Sequence, residues 1–198
     1  MITLYTLKPK FQALLRPLVG RIAAAGITAN QVTIASALGS IAVGAAVSGW
    51  SAHKAIFLLL PVWLFVRMAL NAADGMLARE FGQKSNLGAY LNELGDVVSD
   101  TALFVPFAML EPFGTFMVGL VIVLAILTEF VGIMGLSRRY DGPMGKSDRA
   151  LVVGALGLWI GIGGALPAWS QPLMILVAAL LVVTIFNRIR SGPRERSQ

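Results

Sequence analysis

The sequence predicts an all-α membrane protein: six transmembrane helices preceded by an N-terminal amphipathic interfacial helix. Three observations carry this. Only 13% of the 198 residues are charged while 57% are hydrophobic, and the mean hydropathy is +0.77. A soluble domain carries about 25% charged residues, so a water-soluble globule of this composition would lack the polar surface to cover itself. Apolar stretches recur at the ~20-residue length that crosses a bilayer, and the basic residues gather between them on alternate sides. The same hydrophobicity excludes disorder. The absence of cysteine excludes a disulfide scaffold and a thiol nucleophile. A single domain over residues 1–198 is expected, with residues 1–22 as the amphipathic helix and residues 28–190 as the six-helix bundle.

The elements follow in order. Leu4, Leu7, Phe11, Leu14, Leu15, Leu18 and Ile22 recur at three- and four-residue intervals, with Lys8, Lys10, Arg16 and Arg21 elsewhere. Such a helix suits the surface of an anionic leaflet. Thr28-Ala29-Asn30 supplies capping chemistry for a first span over residues 31–47. A second span is expected over residues 55–73, interrupted only by Arg67, and a third over residues 87–110 despite Glu93, Asp96 and Asp100. A fourth covers residues 113–136 and contains Glu129. The uncharged stretch 150–187 is long enough for two short spans, with a turn between Pro167 and Pro172. Fourteen of the 16 basic residues then lie on the side of the N-terminus, with Lys54 opposite and Arg67 inside a span. The positive-inside rule makes that side cytoplasmic, with both termini inside. The start of the chain lacks the pattern of a cleavable signal peptide.

Ionisable groups at membrane depth are costly, by roughly 2.5–3.5 kcal/mol each on insertion scales, and so point to function. Asn71 and Asp74 lie three apart at the end of the second span and share a helix face. Asn92, Asp96 and Asp100 are spaced by four at the start of the third. A short turn of about six to eight residues would make the two helices antiparallel neighbours. Their facing oxygens would form a pocket for a hard divalent cation, which also takes phosphate oxygens and water. Gly75, Ala78 and Gly88 leave room for a ligand to approach, and Arg79 offers a forked donor to phosphate. The plainer alternative is helix packing through small residues, with Arg79 as a topology charge.

Residues 71–96 resemble the signature of the CDP-alcohol phosphotransferase (CDP-alcohol phosphatidyltransferase) family, D-x2-D-G-x2-A-R-x8-G-x3-D-x3-D. Asp74-Gly75, Ala78-Arg79, Gly88 and Asp96 fall at matching positions, and Asn71 and Asn92 stand where the signature has its first and third Asp. The resemblance implies an integral membrane enzyme of phospholipid biosynthesis, most similar to bacterial inner-membrane members. It would transfer a phosphatidyl group from a CDP-alcohol such as CDP-diacylglycerol to a hydroxyl acceptor and release CMP. It further implies a Mg²⁺- or Mn²⁺-binding centre. Asp74 and Asp96 would be ligands, with Asn71 and Asn92 as neutral ligands. Asp96 would be the catalytic base, and Gly75, Ala78, Arg79 and Gly88 would lie beside the CDP moiety. Two fewer carboxylates should weaken a two-cation site, and Asp100 and Glu93 are auxiliary candidates to compensate. The loss also motivates the alternative of a non-catalytic family member that binds a CDP-lipid or a cation. A small transporter is a third reading, without the internal hydropathy repeat of many such folds.

Between the fourth and fifth spans, residues 138–149 gather Arg138, Arg139, Lys146 and Arg149. Gly145-Lys146 resembles a Gly-Lys pair that many family members carry there, and Lys146 and Arg149 are candidates to bind a phosphorylated acceptor such as glycerol 3-phosphate. Positive-inside placement alone also explains these bases. Ser147 is expected to cap the helix that follows. For Arg67 and Glu129 two readings stand: they pair across helices, or one of them faces the site, with a structural ion pair or polar contact favoured; Arg188, Arg190, Arg194 and Arg196 are expected to touch the leaflet. Gly154, Gly157, Gly161 and Gly164 permit close helix packing within one bundle or between subunits of a homodimer, which the family tends to form. The net charge of +6 is accounted for by an anionic leaflet and phosphate-bearing substrates, not by nucleic acid. His53, in an outer loop, is not expected to be catalytic.

Overall fold

A computed structural model describes residues 4–111, 113–134, 140–164, 166 and 170–191, of which the side chains of residues 4–9 and 171 are not considered. Arg138, Arg139, Pro167, Arg194 and Arg196 therefore lie outside the described residues, and so does the side chain of Lys8. Every regular element among the described residues is helical. The helices are α1 (Leu4–Ala24), α2 (Ala29–Gly49), α3 (Leu59–Glu80), α4 (Asn86–Phe104), α5 (Thr115–Ile133), α6 (Lys146–Gly161) and α7 (Ser170–Ser191). Short 3₁₀ segments, Lys54–Leu58 and Val105–Met109, precede α3 and extend α4.

Helix starts are set by local chemistry. Thr28 caps α2: its hydroxyl accepts from the Gln31 N–H while the Gln31 side chain accepts from the Thr28 N–H at 2.8 Å. Ser85 caps α4 through the Gly88 N–H at 2.9 Å. The start of α6 differs from expectation. Gly145 is its cap residue, and the Asp148 carboxylate accepts the Gly145 N–H at 2.9 Å, in place of a Ser147 cap.

Four segments are long and apolar enough to cross a membrane: Ala29–Gly49, Lys54–Glu80, Thr115–Ile133 and Pro172–Ser191. The chain is an integral membrane protein. Helices α4 and α6 fall short of the same measure. The first carries Glu93, Asp96 and Asp100, and the second has 16 residues and carries Lys146, Asp148 and Arg149. Charge interrupts the apolar run of α4, and α6 is too short.

Helix α2 is the spine of the site. It packs on both α3 and α4, which lean on it more than on each other. The expected direct α3–α4 neighbour pair is thus replaced by two antiparallel helices joined by residues 81–85, with α2 behind them. The approach of α4 depends on glycine: a Cβ at Gly44 would collide with the Ala102 carbonyl. On the other side α6 packs on α3. Gly157 stands where a Cβ would be 2.9 Å from Leu60 Cβ and 3.0 Å from the Phe57 carbonyl oxygen. These glycines therefore pack within the chain. A core of Phe57, Leu60, Phe104, Phe107 and Val121 fills the end of the bundle away from the site. A smaller cluster of Val19, Val32, Met76 and Leu77 fastens α1 beside α2 and α3. Arg16 of α1 also pairs with Glu80 at 3.0 Å, while Leu14 and Leu18 stay exposed.

Candidate active site

The polar residues converge where the middle of α4, the stretch of α3 from Arg67 to Asp74 and the start of α6 meet. Helix α2 contributes a stripe that the sequence pattern alone did not single out, Thr33, Ser36 and Ser40. Thr33 Oγ1 donates to Asp74 Oδ2 at 2.9 Å, and Ser36 Oγ donates to Asn71 Oδ1 at 3.3 Å. One turn deeper, Trp63 Nε1 donates to Ser40 Oγ at 2.9 Å. The readable signal was their three- and four-residue spacing inside an apolar span. The stripe fixes the two ligand candidates of α3 from behind.

Across the cleft, α4 presents Asp96 and Asp100 one turn apart, and α6 presents Lys146 and Arg149 nearly one turn apart. The rows match. The Lys146 ammonium pairs with Asp96 Oδ2. Arg149 donates to Asp100 Oδ2 through Nε at 3.1 Å and Nη2 at 2.8 Å. Arg67 of α3 bridges both rungs, giving Nη1 to Asp100 Oδ1 at 2.7 Å and Nη2 to Asp96 Oδ1 at 3.3 Å. Arg149 also reaches Glu129 at 2.9 Å and Thr128 Oγ1 at 3.2 Å on α5. Arg188 of α7 closes the series, 3.9 Å from Glu129 and donating to the backbone carbonyls of Thr128 and Asp141. Alternating charge thus joins five helices. At membrane depth each of these groups would be costly alone, and each is compensated by its neighbour.

Several expectations change here. Arg67 and Glu129 do not pair with each other; Asp100 and Arg149 stand between them. Arg149, a candidate acceptor ligand, is 1% exposed and committed to three partners, and only water-sized spaces lie beside it. Asp100 is likewise enclosed. The deeper rung braces the helices. Arg188 is buried, whereas Arg190 is exposed as a leaflet contact requires. The sequence signal was Thr184 and Arg188 four apart: Thr184 Oγ1 accepts the Met144 N–H at 3.0 Å and so holds the α5–α6 connection beside Arg188. Gly88 faces Asn30 Oδ1 and the Ser85 cap, so its lack of a side chain serves packing. The space over Gly75 is taken by Arg79, whose Nη2 would lie 2.8 Å from a Cβ there, and Arg79 itself is exposed. Ala78 and Glu93 are both half-buried, and one carboxylate oxygen of Glu93 is wholly enclosed.

The outer rung can do chemistry. Lys146 keeps about a third of its side chain exposed, and Asp74 lies within electrostatic reach of both Lys146 and Asp96. No group of three or more His, Cys, Asp or Glu poised for a metal occurs among the described residues. Two carboxylates supplemented by the amide oxygens of Asn71 and Asn92 nevertheless suit one Mg²⁺ or Mn²⁺, which takes one or two carboxylates and completes its shell with phosphate and water.

Residues 26–186 match the family model described as CDP-alcohol phosphatidyltransferase. The chain belongs to the CDP-alcohol phosphatidyltransferase family. The match covers α2 to α6 and α7 as far as Phe186, just short of Arg188. The chain is 45% identical over 194 residues to the Inner membrane protein YnbA of Escherichia coli (strain K12), covering 96% of each. Its fold is similar to that of the Mycobacterium tuberculosis phosphatidylinositol phosphate synthase PgsA1. Against the crystal structure in complex with manganese and citrate, the TM-score is 0.73 at 20% identity, covering 89% of this chain and 87% of the other. Against the structure with CDP-DAG bound, it is again 0.73 at 20% identity, covering 88% and 90%.

Proposed function

We propose that the chain transfers a phosphatidyl group from a CDP-alcohol, CDP-diacylglycerol in the first place, to the hydroxyl of a small acceptor, releasing CMP. The observation that carries this is the convergence of Asp74, Asp96 and Lys146 on one cleft within a chain of this family. The family membership supports the reaction type, and the CDP-DAG complex of the similar PgsA1 fold supports the donor. Asp74 and Asp96 would hold a divalent cation, with the amides of Asn71 and Asn92 as neutral ligands. The cation would neutralise the diphosphate and the leaving CMP. Manganese in the PgsA1 crystal is consistent with that choice.

The residues then divide the work. Asp96 accepts the proton of the attacking hydroxyl as that oxygen bonds to the β-phosphorus. Arg67 and Asp100 keep Asp96 in place. Arg79 pairs with phosphate on the CDP side, where Gly75 and Ala78 leave the helix surface low. Lys146 stands between the diphosphate and the acceptor, and a phosphorylated acceptor such as glycerol 3-phosphate also fits its charge; Arg149 acts through its neighbours. Asp100 and Glu93 lie outside this ligand set.

The cleft opens on the cytoplasmic rim of a bacterial inner membrane, with both termini inside. Six helices cross, because α4 with its 3₁₀ extension reaches Met109 and α6 completes its short span beside α3. Helix α1 rests on the leaflet with Leu14 and Leu18 toward lipid.

The test incubates purified protein with CDP-diacylglycerol, Mn²⁺ and a panel of alcohols, followed by mass spectrometry of the lipids. A new phospholipid with equimolar CMP is expected. CDP-lipid binding without CMP release from any acceptor would instead favour a non-catalytic family member, the reading that Asn71 and Asn92 motivate.

A further inference from the structure

The buried charges among the described residues are four acids, Asp74, Asp96, Asp100 and Glu129, and three arginines, Arg67, Arg149 and Arg188. Lys146, partly buried and paired with Asp96, brings the balance of this connected set to zero; Glu93, half-buried, is counted outside it. A centre at membrane depth tolerates little net charge, since uncompensated ions there lose their solvation. One divalent cation adds two positive charges. A diphosphate joining two esters carries one negative charge on each phosphate, so the pair enters the cleft without changing the balance. A second divalent cation would leave two positive charges uncompensated. Carboxylates at positions 71 and 92 would cancel them, but Asn71 and Asn92 are neutral.

We propose that the cleft takes a single divalent cation, and that the Lys146 ammonium serves as the second positive charge of the diphosphate-binding centre. This rests on the function proposed above. Lys146 suits the role because it alone in this charge series keeps substantial exposure, at the first position of α6. Its flexible stem reaches Asp96 Oδ2 in this structure. A cation bound at that oxygen displaces the ammonium, which is then free to turn to the phosphate that arrives with it. Arg67 holds the other oxygen and cannot follow, being buried and tied to Asp100.

The test is Mn²⁺ binding to the full-length protein in detergent, read by electron paramagnetic resonance with and without CDP-diacylglycerol. One Mn²⁺ per chain is expected with the lipid present, and two in the Asn71→Asp/Asn92→Asp double variant. Without the lipid, Lys146→Met should bind Mn²⁺ about tenfold more tightly, the order of effect that a neighbouring charge exerts on a carboxylate's cation affinity. Two ions in the natural sequence would overturn the proposal while leaving the proposed reaction standing. One ion in both the natural sequence and the double variant would also overturn it, because charge would then not set the number. No Mn²⁺ at all would overturn both the proposal and the metal-dependent reading. Should Lys146→Met fail to fold, the stoichiometry of the natural sequence still decides.

Discussion

Both carboxylate oxygens of Asp100 are held by arginines from different helices, Arg67 at 2.7 Å and Arg149 at 2.8 Å. Asp100→Asn would leave two buried guanidiniums short of charge. Breaking a buried pair from one side costs about 3–5 kcal/mol, so a large drop in the thermal unfolding temperature in detergent is expected. A variant as stable as the parent would remove the bracing role. At this scale the sequence was informative where one helix suffices. Helix-face spacing singled out Asp74 and Asp96, and the family's Gly-Lys pair singled out Lys146, which the structure sets against Asp96. The sequence did not foresee the burial of Arg149 and Arg188, because whether a base meets water or a carboxylate depends on which helix packs over it. An Arg three residues after a solvent-facing Lys reads as another loop charge until α4 and α5 are placed against it.

Helix α2 carries no charge, yet it sets the position of both signature helices. Gly44 lets α4 approach to backbone contact with Ala102. Gly44→Leu should overpack this crossing, costing about 1–3 kcal/mol, and should lower Mn²⁺ affinity by moving Asp96 with α4. Gly119 on α5 has open space where a Cβ would stand, with no neighbouring atom within 4 Å. Gly119→Leu should therefore stay within about 0.5 kcal/mol of the parent. Equal unfolding temperatures for the two variants would contradict the close-packing role of Gly44. Most helices were legible from hydropathy and caps. The spans over α4 and α6 were harder to delimit because the charges of the site interrupt their apolar runs. The direct α3–α4 pairing was expected from the short connection alone, which fixes antiparallel direction but not which third helix fills the groove.

The whole molecule places a polar cleft at one end of an apolar bundle, and the orientation of that end decides which substrates reach it. The chain has no cysteine, so single cysteines report topology without background. Lys84→Cys, in the turn beside the cleft, should react with a membrane-impermeant maleimide only in inside-out vesicles. Lys54→Cys, at the opposite end of α3, should react in intact spheroplasts. Labelling of both from one side would contradict the proposed orientation. In the proposed orientation, a water-soluble acceptor and CMP would exchange with the cytoplasm while the acyl chains stay in lipid. The most direct test of this account compares the parent with Asp96→Asn for CMP release from CDP-diacylglycerol in the presence of Mn²⁺ and the acceptor panel. The account predicts acceptor-dependent CMP release by the parent and a loss of about a hundredfold or more in the variant. Full activity in Asp96→Asn would contradict it.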